Sequence, residues 1–378
     1  MDLEKFNGKA GKLEKITEES YTFIPCKIPT HINYDNKLLL LLSKATHKIG
    51  ELSGAGERLP NPNLLIVPYI NREAVMSSRI EGTRITISEL YKSQIQHDES
   101  KDEDVVEVKN YISALNYALD SKEERITLDL IKKMHLILMS NNVRGYNKMP
   151  GKFRNVQNWI GFTDRMEDAT YVPPPPAKVP GLMKELEDYI NEDNVPSLVQ
   201  AALMHYQFET IHPFCDGNGR IGRSLITLLL CKKKVILHPL LYLSAYFEKN
   251  RTEYQSLLLR VNQEGCFEEL IKFFLLGVQS QSEDAINRAK KLYDIREEYR
   301  KKIQGVTTSN QAINLIDCLF NNPFITISKA ADVLDTTYPT AKRIIVDSFL
   351  KTGVLVEADK KERNKLYCAE SILRTLEL

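Results

Sequence analysis

No CxxC pair occurs among the six cysteines (Cys26, Cys215, Cys231, Cys266, Cys318 and Cys368), which are scattered along the 378 residues. That spacing disfavours a structural zinc site and a disulfide framework alike, and it suits a reducing cytoplasm. Charge of one sign is not in excess either: 51 Lys and Arg stand against 50 Asp and Glu, a net charge of +1. A chain so balanced does not coat a polyanion through a global basic field, so any nucleic-acid contact has to be local. Long apolar runs are missing. Leu38 to Leu42 is the longest leucine run and stops at Ser43-Lys44, far short of the ~20 residues a membrane-crossing helix needs. The start, Met1-Asp2-Leu3-Glu4, lacks the basic-then-apolar pattern of a cleavable signal. The expectation is a cytoplasmic globular protein with no membrane partner. Internal repeats and alternating strand patterns are scarce too, and Trp159 is the single tryptophan.

What is present is helical periodicity. With 43% hydrophobic and 27% charged residues, the chain is long enough for two or three packed units. Leu38 to Leu52, Val105 to Leu119, Leu128 to Met139, Met183 to Ile190 and Leu198 to Phe208 each carry apolar residues at i, i+3 and i+4. The fold class expected is therefore mainly α. Gly151 to Pro180 interrupts this pattern with Trp159, Gly161 and Pro173-Pro174-Pro175-Pro176. Consecutive prolines cannot enter a helix and lack the donors a central strand needs, so the stretch is an extended excursion of the kind that often carries function. Trp159 could equally be a packing anchor.

Beyond Phe267, the narrow stripe Ala285, Ala289, Leu292, Ile295 and Tyr299 on a charged segment predicts a long connecting helix ending near Gly305. The tail then reads as helices at Gln311 to Phe320, Ser328 to Leu334 and Ala341 to Leu350, with Asp335-Thr336-Thr337 as turn and cap. Val354 to Val356 and Lys365 to Tyr367 could pair as strands around a polar tip. This order predicts a winged helix-turn-helix. Between Val306 and Leu378 nine basic residues meet nine acidic ones, a poor footprint for DNA. Lys360, Lys361, Arg363 and Lys365 still cluster at the wing tip. Weak DNA contact, protein docking and homodimer formation all stay open.

The stretch that carries chemistry is Ile211-His212-Pro213-Phe214-Cys215-Asp216-Gly217-Asn218-Gly219-Arg220-Ile221-Gly222-Arg223. Gly217 to Gly222 satisfies GxGxxG, but an amphipathic helix precedes it rather than a strand, and no Asp or Glu lies between Asp216 and Glu248 to hold a ribose. Nor is it a Walker A loop, because Gly222 is followed by Arg223-Ser224. What survives is an anion site at a helix N-terminus: small residues let a phosphate approach, first-turn N–H groups point at it, and Arg220 and Arg223 share one side at i and i+3. Asp216, just ahead of the glycines, suits Mg²⁺ shared with phosphate oxygens. His212 brings an imidazole to the same place. A base, a metal carboxylate and a cationic cradle are the parts that deprotonate a hydroxyl and drive it at phosphorus.

This stretch closely resembles the signature of the Fic family, HPFx[DE]GNGRxGR, and matches every fixed position. The resemblance, running from about Pro60 to Leu276, implies a Fic-type helical bundle with a small β-hairpin flap, ahead of the winged helix. It implies a nucleotidyltransferase that moves AMP from ATP to a protein hydroxyl, on a Tyr, Thr or Ser of a target or of itself. His212 is then the general base, Asp216 the Mg²⁺ ligand, Gly217, Asn218, Gly219 and Arg220 the phosphate loop, and Arg223 the contact to the γ-phosphate. Upstream, Ser77-Ser78-Arg79-Ile80-Glu81-Gly82 fits the (S/T)xxxE(G/N) inhibitory motif of autoinhibited members. By that likeness Glu81 pairs with Arg223 and displaces the γ-phosphate. The family's flap, which binds a target segment as an added strand, would fall on Asn158, Trp159 and Ile160 in one arm and Tyr171 and Val172 in the other. Asn250, with Lys249 and Tyr246, is placed after the motif where adenine or ribose binding is expected.

The expected organisation is an N-terminal helical region with the inhibitory helix (1–100), a Fic catalytic domain (101–280), a connecting helix (281–305) and a winged-helix domain (306–378). In other members of the family the same fold removes AMP or transfers other phosphate-containing groups, which stay as alternatives, and a winged-helix regulator with a nucleotide-sensing Fic domain is the alternative from another class.

Overall fold

Ser197–Ile211 is buried at every residue but Ser197 and Glu209, its polar Gln200, His205, Gln207 and Thr210 included, and such a helix needs neighbours all round. In the computed structural model, which describes residues 1–29, 31–57, 61–95, 102–141, 143, 148–161, 165–359 and 364–377, it is the buried centre of a mainly helical fold. The order along the chain begins with an antiparallel hairpin, β1 (Gly11–Lys15) and β2 (Tyr21–Pro25), paired from Gly11↔Pro25 to Lys15↔Tyr21. Helices α1 (Asn36–Glu57), α2 (Asn63–Ile80), α3 (Ile87–Ile95), α4 (Glu103–Asp120) and α5 (Leu128–Leu138) follow. After the proline-rich excursion come α6 (Val179–Ile190), α7 (Ser197–Ile211), α8 (Asn218–Lys232), α9 (Ser244–Lys249) and α10 (Arg251–Glu264).

Side-chain caps fix several starts. Asp102 accepts from the Asp104 N–H at the head of α4, and Thr127 from the Leu130 N–H at the head of α5. Helix α7 packs on α6, α8, α10 and β2, while α2 lies across α4, α8 and α9. The catalytic-type motif thus sits at the α7–α8 corner, with α2 beside it.

A single helix, α11 (Phe267–Gln304), runs through the expected boundary at 280, so the connecting segment is the second half of one 38-residue helix. Gly305 caps it with right-handed backbone, φ −68°. The C-terminal part consists of α12 (Asn310–Asn321), β3 (Phe324–Thr326), α13 (Ile327–Val333), α14 (Tyr338–Ile344), β4 (Val356–Glu357), β5 (Leu366–Cys368) and α15 (Glu370–Glu377). Residues Ile345–Leu350 continue α14 as a π-helical stretch. The strands form an antiparallel sheet in the order β3-β5-β4, one strand more than the sequence suggested. Lys360, Lys361 and Arg363 of the basic tip lie outside the described residues, and Lys365 pairs with Glu357. This part docks on α2 and α3: α12 packs along α2, and Asn322 donates to the Tyr91 carbonyl. Among the described residues no helix is long and apolar enough to cross a membrane.

The excursion is less of a hairpin than expected. Among the described residues its arms meet through one bridge, Ile160↔Tyr171, because the prolines at 173–176 have no N–H with which to extend a ladder. The second arm is instead supported by the N-terminal hairpin: the Phe23 N–H donates to the Val172 carbonyl, and the Thr22 hydroxyl to that of Pro173.

Candidate active site

Helix α7 ends where His212 turns left-handed, φ +50°, and α8 begins one residue after Gly217, φ +76°. Glycine adopts that conformation without strain, and at Gly217 a side chain would also crowd Leu138 and Met139. Between these points the loop is closed by Asn218, whose Oδ1 accepts from the Phe214 N–H and whose Nδ2 donates to the Phe214 carbonyl, both at 2.8 Å. Asn218 is buried, so its side chain shapes this loop from within.

His212 Nδ1 lies 3.3 Å from the Glu209 carbonyl. A carbonyl only accepts, so Nδ1 carries the proton and Nε2 keeps the lone pair. Burial, then the nearby Arg154 guanidinium, push the imidazole down to about 4, against the opposing pull of the Glu209 carbonyl and the Glu81 and Asp216 carboxylates. It is therefore neutral at pH 7, as a proton acceptor must be.

Arg223 and Glu81 face each other across α8 and the end of α2. Arg223 Nη2 donates to Glu81 Oε1 at 2.7 Å and to the Ser77 carbonyl at 2.9 Å, and Nε donates to the Ser77 hydroxyl at 2.8 Å. Burial alone would raise the Glu81 carboxyl, but Arg223, with Arg220 and His212 behind it, holds it below the ordinary range. The Glu81 carboxylate rests on Gly219: a β-carbon there would collide with Oε1. Gly82, φ +100°, lets the chain turn away directly after it.

Arg220 takes a different direction from Arg223. Its Nη1 pairs with the buried Glu107 of α4 at 2.9 Å, and Nη2 is 3.7 Å from Asp216 Oδ1. The two arginines expected to share one anion are each tied to a carboxylate. Asp216 Oδ1 accepts from the Gly217 N–H, and Oδ2 is 3.5 Å from Lys148 Nζ. Among the described residues no three His, Cys, Asp or Glu side chains converge as a metal cage. A lone, one-third exposed carboxylate fits Mg²⁺ that brings most of its oxygens from water and phosphates, which is the ion's usual habit.

Several contacts around the motif were not foreseen. His135 stacks flat on Phe214, ring centroids 3.8 Å apart, accepts from the Gly151 N–H at Nδ1 and donates from Nε2 to the Asp216 carbonyl. Arg154 reaches the carbonyls of the His212 turn. Glu209 sits one turn before His212 with Oε1 buried and, among the described residues, without a hydrogen-bond partner. In the excursion, Trp159 and Ile160 are exposed, Asn158 Nδ2 donates to the Phe214 carbonyl, and the Tyr171 hydroxyl donates to that of Thr210. The second arm, through Tyr171 and Val172, is buried. Asn250 lies between α9 and α10 and donates to the Tyr246 carbonyl.

Comparison with known proteins identifies the family and the fold. Residues 39–120 match the family described as Fic/DOC family N-terminal, and residues 125–230 match the Fic/DOC family itself. Over 203 residues the chain is 29% identical to a "probable protein adenylyltransferase" of Aquifex aeolicus, covering 52% of this chain and 57% of the relative. Over 145 residues it is 29% identical to a protein adenylyltransferase of Caenorhabditis elegans, covering 37% of this chain and 25% of that one. The chain thus spans little more than half the length of the first relative and a quarter of the second. A solved Fic family protein from Desulfovibrio desulfuricans shares the fold at a TM-score of 0.60 and 20% identity, over 90% of this chain and 98% of its own. A Fic domain-containing protein from Bacteroides thetaiotaomicron gives 0.51 at 19% identity, over 67% of this chain and 96% of its own.

Proposed function

The chain belongs to the Fic/DOC family over residues 39–120 and 125–230, and from that premise we propose that it is an autoinhibited protein adenylyltransferase. It moves AMP from ATP to a Tyr, Thr or Ser hydroxyl of a target protein or of itself. The phosphates lie at the start of α8, where first-turn N–H groups and Arg223 meet them. His212 Nε2 takes the hydroxyl proton, and the oxygen attacks the α-phosphorus. The bond from that phosphorus to the bridging oxygen breaks, pyrophosphate leaves with the electron pair, and the proton rests on the imidazole. Asp216 is the residue that would hold Mg²⁺, which supplies charge neutralisation on the phosphates. The target segment adds along Asn158, Trp159 and Ile160, backed by Tyr171 and Val172.

The observation that carries this reading is the Glu81–Arg223 pair lying over Gly219. While it persists, the γ-phosphate lacks its guanidinium and the α-phosphate is not aligned. The test is intact-mass and peptide mass spectrometry of the Glu81→Gly protein after incubation with ATP. An added AMP that disappears in Glu81→Gly/His212→Ala supports the reading; no AMP on either the protein or co-incubated lysate proteins sinks it. Comparing α- with γ-labelled ATP separates AMP transfer from phosphorylation.

We read the helices α12 to α14 with the β3-β5-β4 sheet as a winged helix-turn-helix. That arrangement favours a second reading, a regulator whose Fic region senses nucleotide. It requires salt-sensitive binding of a specific duplex, which a fluorescence-anisotropy titration at two salt concentrations would detect.

A further inference from the structure

Arg154 is buried, 2% exposed, yet among the described residues its guanidinium meets carbonyl oxygens and no carboxylate. Nε donates to the His212 carbonyl at 2.8 Å. Nη2 donates to the carbonyls of Pro174 at 2.6 Å and Ile211 at 3.3 Å, and Nη1 to that of Val156 at 3.4 Å. Its main-chain N–H donates to the Pro213 carbonyl at 2.9 Å. One side chain therefore joins both arms of the excursion to the turn that carries the candidate base.

Burying a cation among neutral acceptors is expensive, and an apolar side chain would fill the same space without that penalty. What an apolar residue could not do is fix carbonyls from separate segments with one rigid planar fork. The turn it holds needs holding, because His212 has left-handed backbone that a non-glycine residue adopts only when its surroundings impose it.

We propose that Arg154 is a positioning residue of the transfer reaction, tying the target-docking arms to the His212 turn so that a docked hydroxyl arrives in fixed register with the imidazole. This rests on the adenylyltransferase reading of the site. A second consequence follows from charge. His212 is faced by Glu81 from the end of α2, by Asp216 from its own loop and by Arg154 from the excursion, with the Glu209 carbonyl on Nδ1. A bound triphosphate adds negative charge and draws a proton onto the imidazole, which would disable the base. The guanidinium opposes that protonation.

The test separates the fork from the charge. Arg154→Met removes both, whereas Arg154→Lys keeps the charge and loses the planar geometry. The first measurement needs no activity: the imidazole titration of His212 by NMR on histidine-labelled protein, assigned by the signal lost in His212→Ala. The titration midpoint should rise by about one pH unit or more in Arg154→Met and stay near wild type in Arg154→Lys. The second measurement uses the Glu81→Gly background. Both variants should lower kcat about 10- to 100-fold and raise the KM for the target, since small misplacements of reacting groups have effects of that size. The ATP Kd should stay within about 2-fold, and the acid limb of kcat should move to higher pH only in Arg154→Met.

An unmoved His212 titration in Arg154→Met, or full kcat in Arg154→Lys, overturns the proposal. If Arg154→Met does not fold, the kinetics of Arg154→Lys decide alone. Absence of AMP transfer by Glu81→Gly with Arg154 intact instead refutes the adenylyltransferase reading, and the His212 titration still tests the role of Arg154.

Discussion

Glu81 Oε1 sits 2.7 Å from Arg223 Nη2 and so close above Gly219 that a β-carbon there would strike it. Under the proposed reading the carboxylate takes two things a bound nucleotide would need: the guanidinium that would meet a terminal phosphate, and the open space over the glycine. Inhibition of that kind would be competition for one site, with a measurable size.

Glu81→Gly should tighten ATP binding. A hydrogen bond to a charged group is worth about 1.5–3 kcal/mol, which converts to roughly a 10- to 100-fold change in Kd. Isothermal titration calorimetry of ATP against wild type and Glu81→Gly measures it directly. Equal affinities would mean that the carboxylate does not obstruct the nucleotide.

His212→Ala should lower AMP incorporation by about 10²–10⁴-fold, the usual worth of a positioned base, and leave ATP affinity nearly unchanged. The split between rate and affinity matters: a parallel loss of both would place His212 in nucleotide binding.

The reasons that some of this was legible in the sequence lie in contiguity. His212 to Arg223 is one turn and one helix start, so its geometry follows from local rules, and Glu81 lies in a six-residue pattern whose partner was already known. Arg154, His135 and Glu107 act through pairs separated by dozens of residues, reaching His212, Asp216 and Arg220. No periodicity marks a buried arginine whose partners are all main-chain carbonyls. The hairpin β1–β2 was missed for a related reason. Gly11-Lys12-Leu13-Glu14-Lys15 has a single apolar residue, and the hairpin owes its place to the Phe23 bond to Val172.

Glu209 should make stability fall as pH rises. Burial pushes its carboxyl up to about 8 from the ordinary 4.5, with Arg223 opposing and the Glu81 carboxylate adding to the shift. Between those values the folded protein holds a proton that the unfolded chain has released, so each step up in pH favours unfolding. Glu73, raised to about 7 by burial, acts in the same direction and remains in the variant. Burial holds His135, His205 and His212 below their ordinary value, and these act the other way at and below about pH 6.5. Between about pH 7 and 9, therefore, Glu209→Gln should flatten, without abolishing, the decline of Tm. Identical slopes in the two proteins would show that Glu209 is ionised in the fold.

His135→Phe keeps a flat ring against Phe214 but leaves the Gly151 N–H and the Asp216 carbonyl without their partner. An unsatisfied buried group costs about 1–3 kcal/mol, so chemical denaturation should show a loss of at least that size. Because the Asp216 carbonyl belongs to the loop proposed to bind phosphate, ATP affinity should weaken as well. Intact affinity in a destabilised protein would restrict His135 to packing.

Gly219→Ala distinguishes the proposed inhibited arrangement from the proposed phosphate site beneath it. Gly219 lies in the first turn of α8, and its φ is not among the positive values, so alanine is conformationally acceptable there. Replacing glycine in a helix usually stabilises by roughly 0.5–1 kcal/mol. The added methyl would collide with Glu81 Oε1 and crowd Arg223 Nη1, which should push the carboxylate out of its seat. The same methyl occupies the proposed approach of a phosphate. Unlike Glu81→Gly, then, Gly219→Ala should loosen the inhibitory pair without gaining AMP transfer, and its ATP affinity should fall below wild type; Tm should not rise, since the buried Arg223 loses its carboxylate partner. Activation of Gly219→Ala to the level of Glu81→Gly would mean that the phosphates do not pass over this glycine, and the placement of nucleotide at the head of α8 would have to be abandoned.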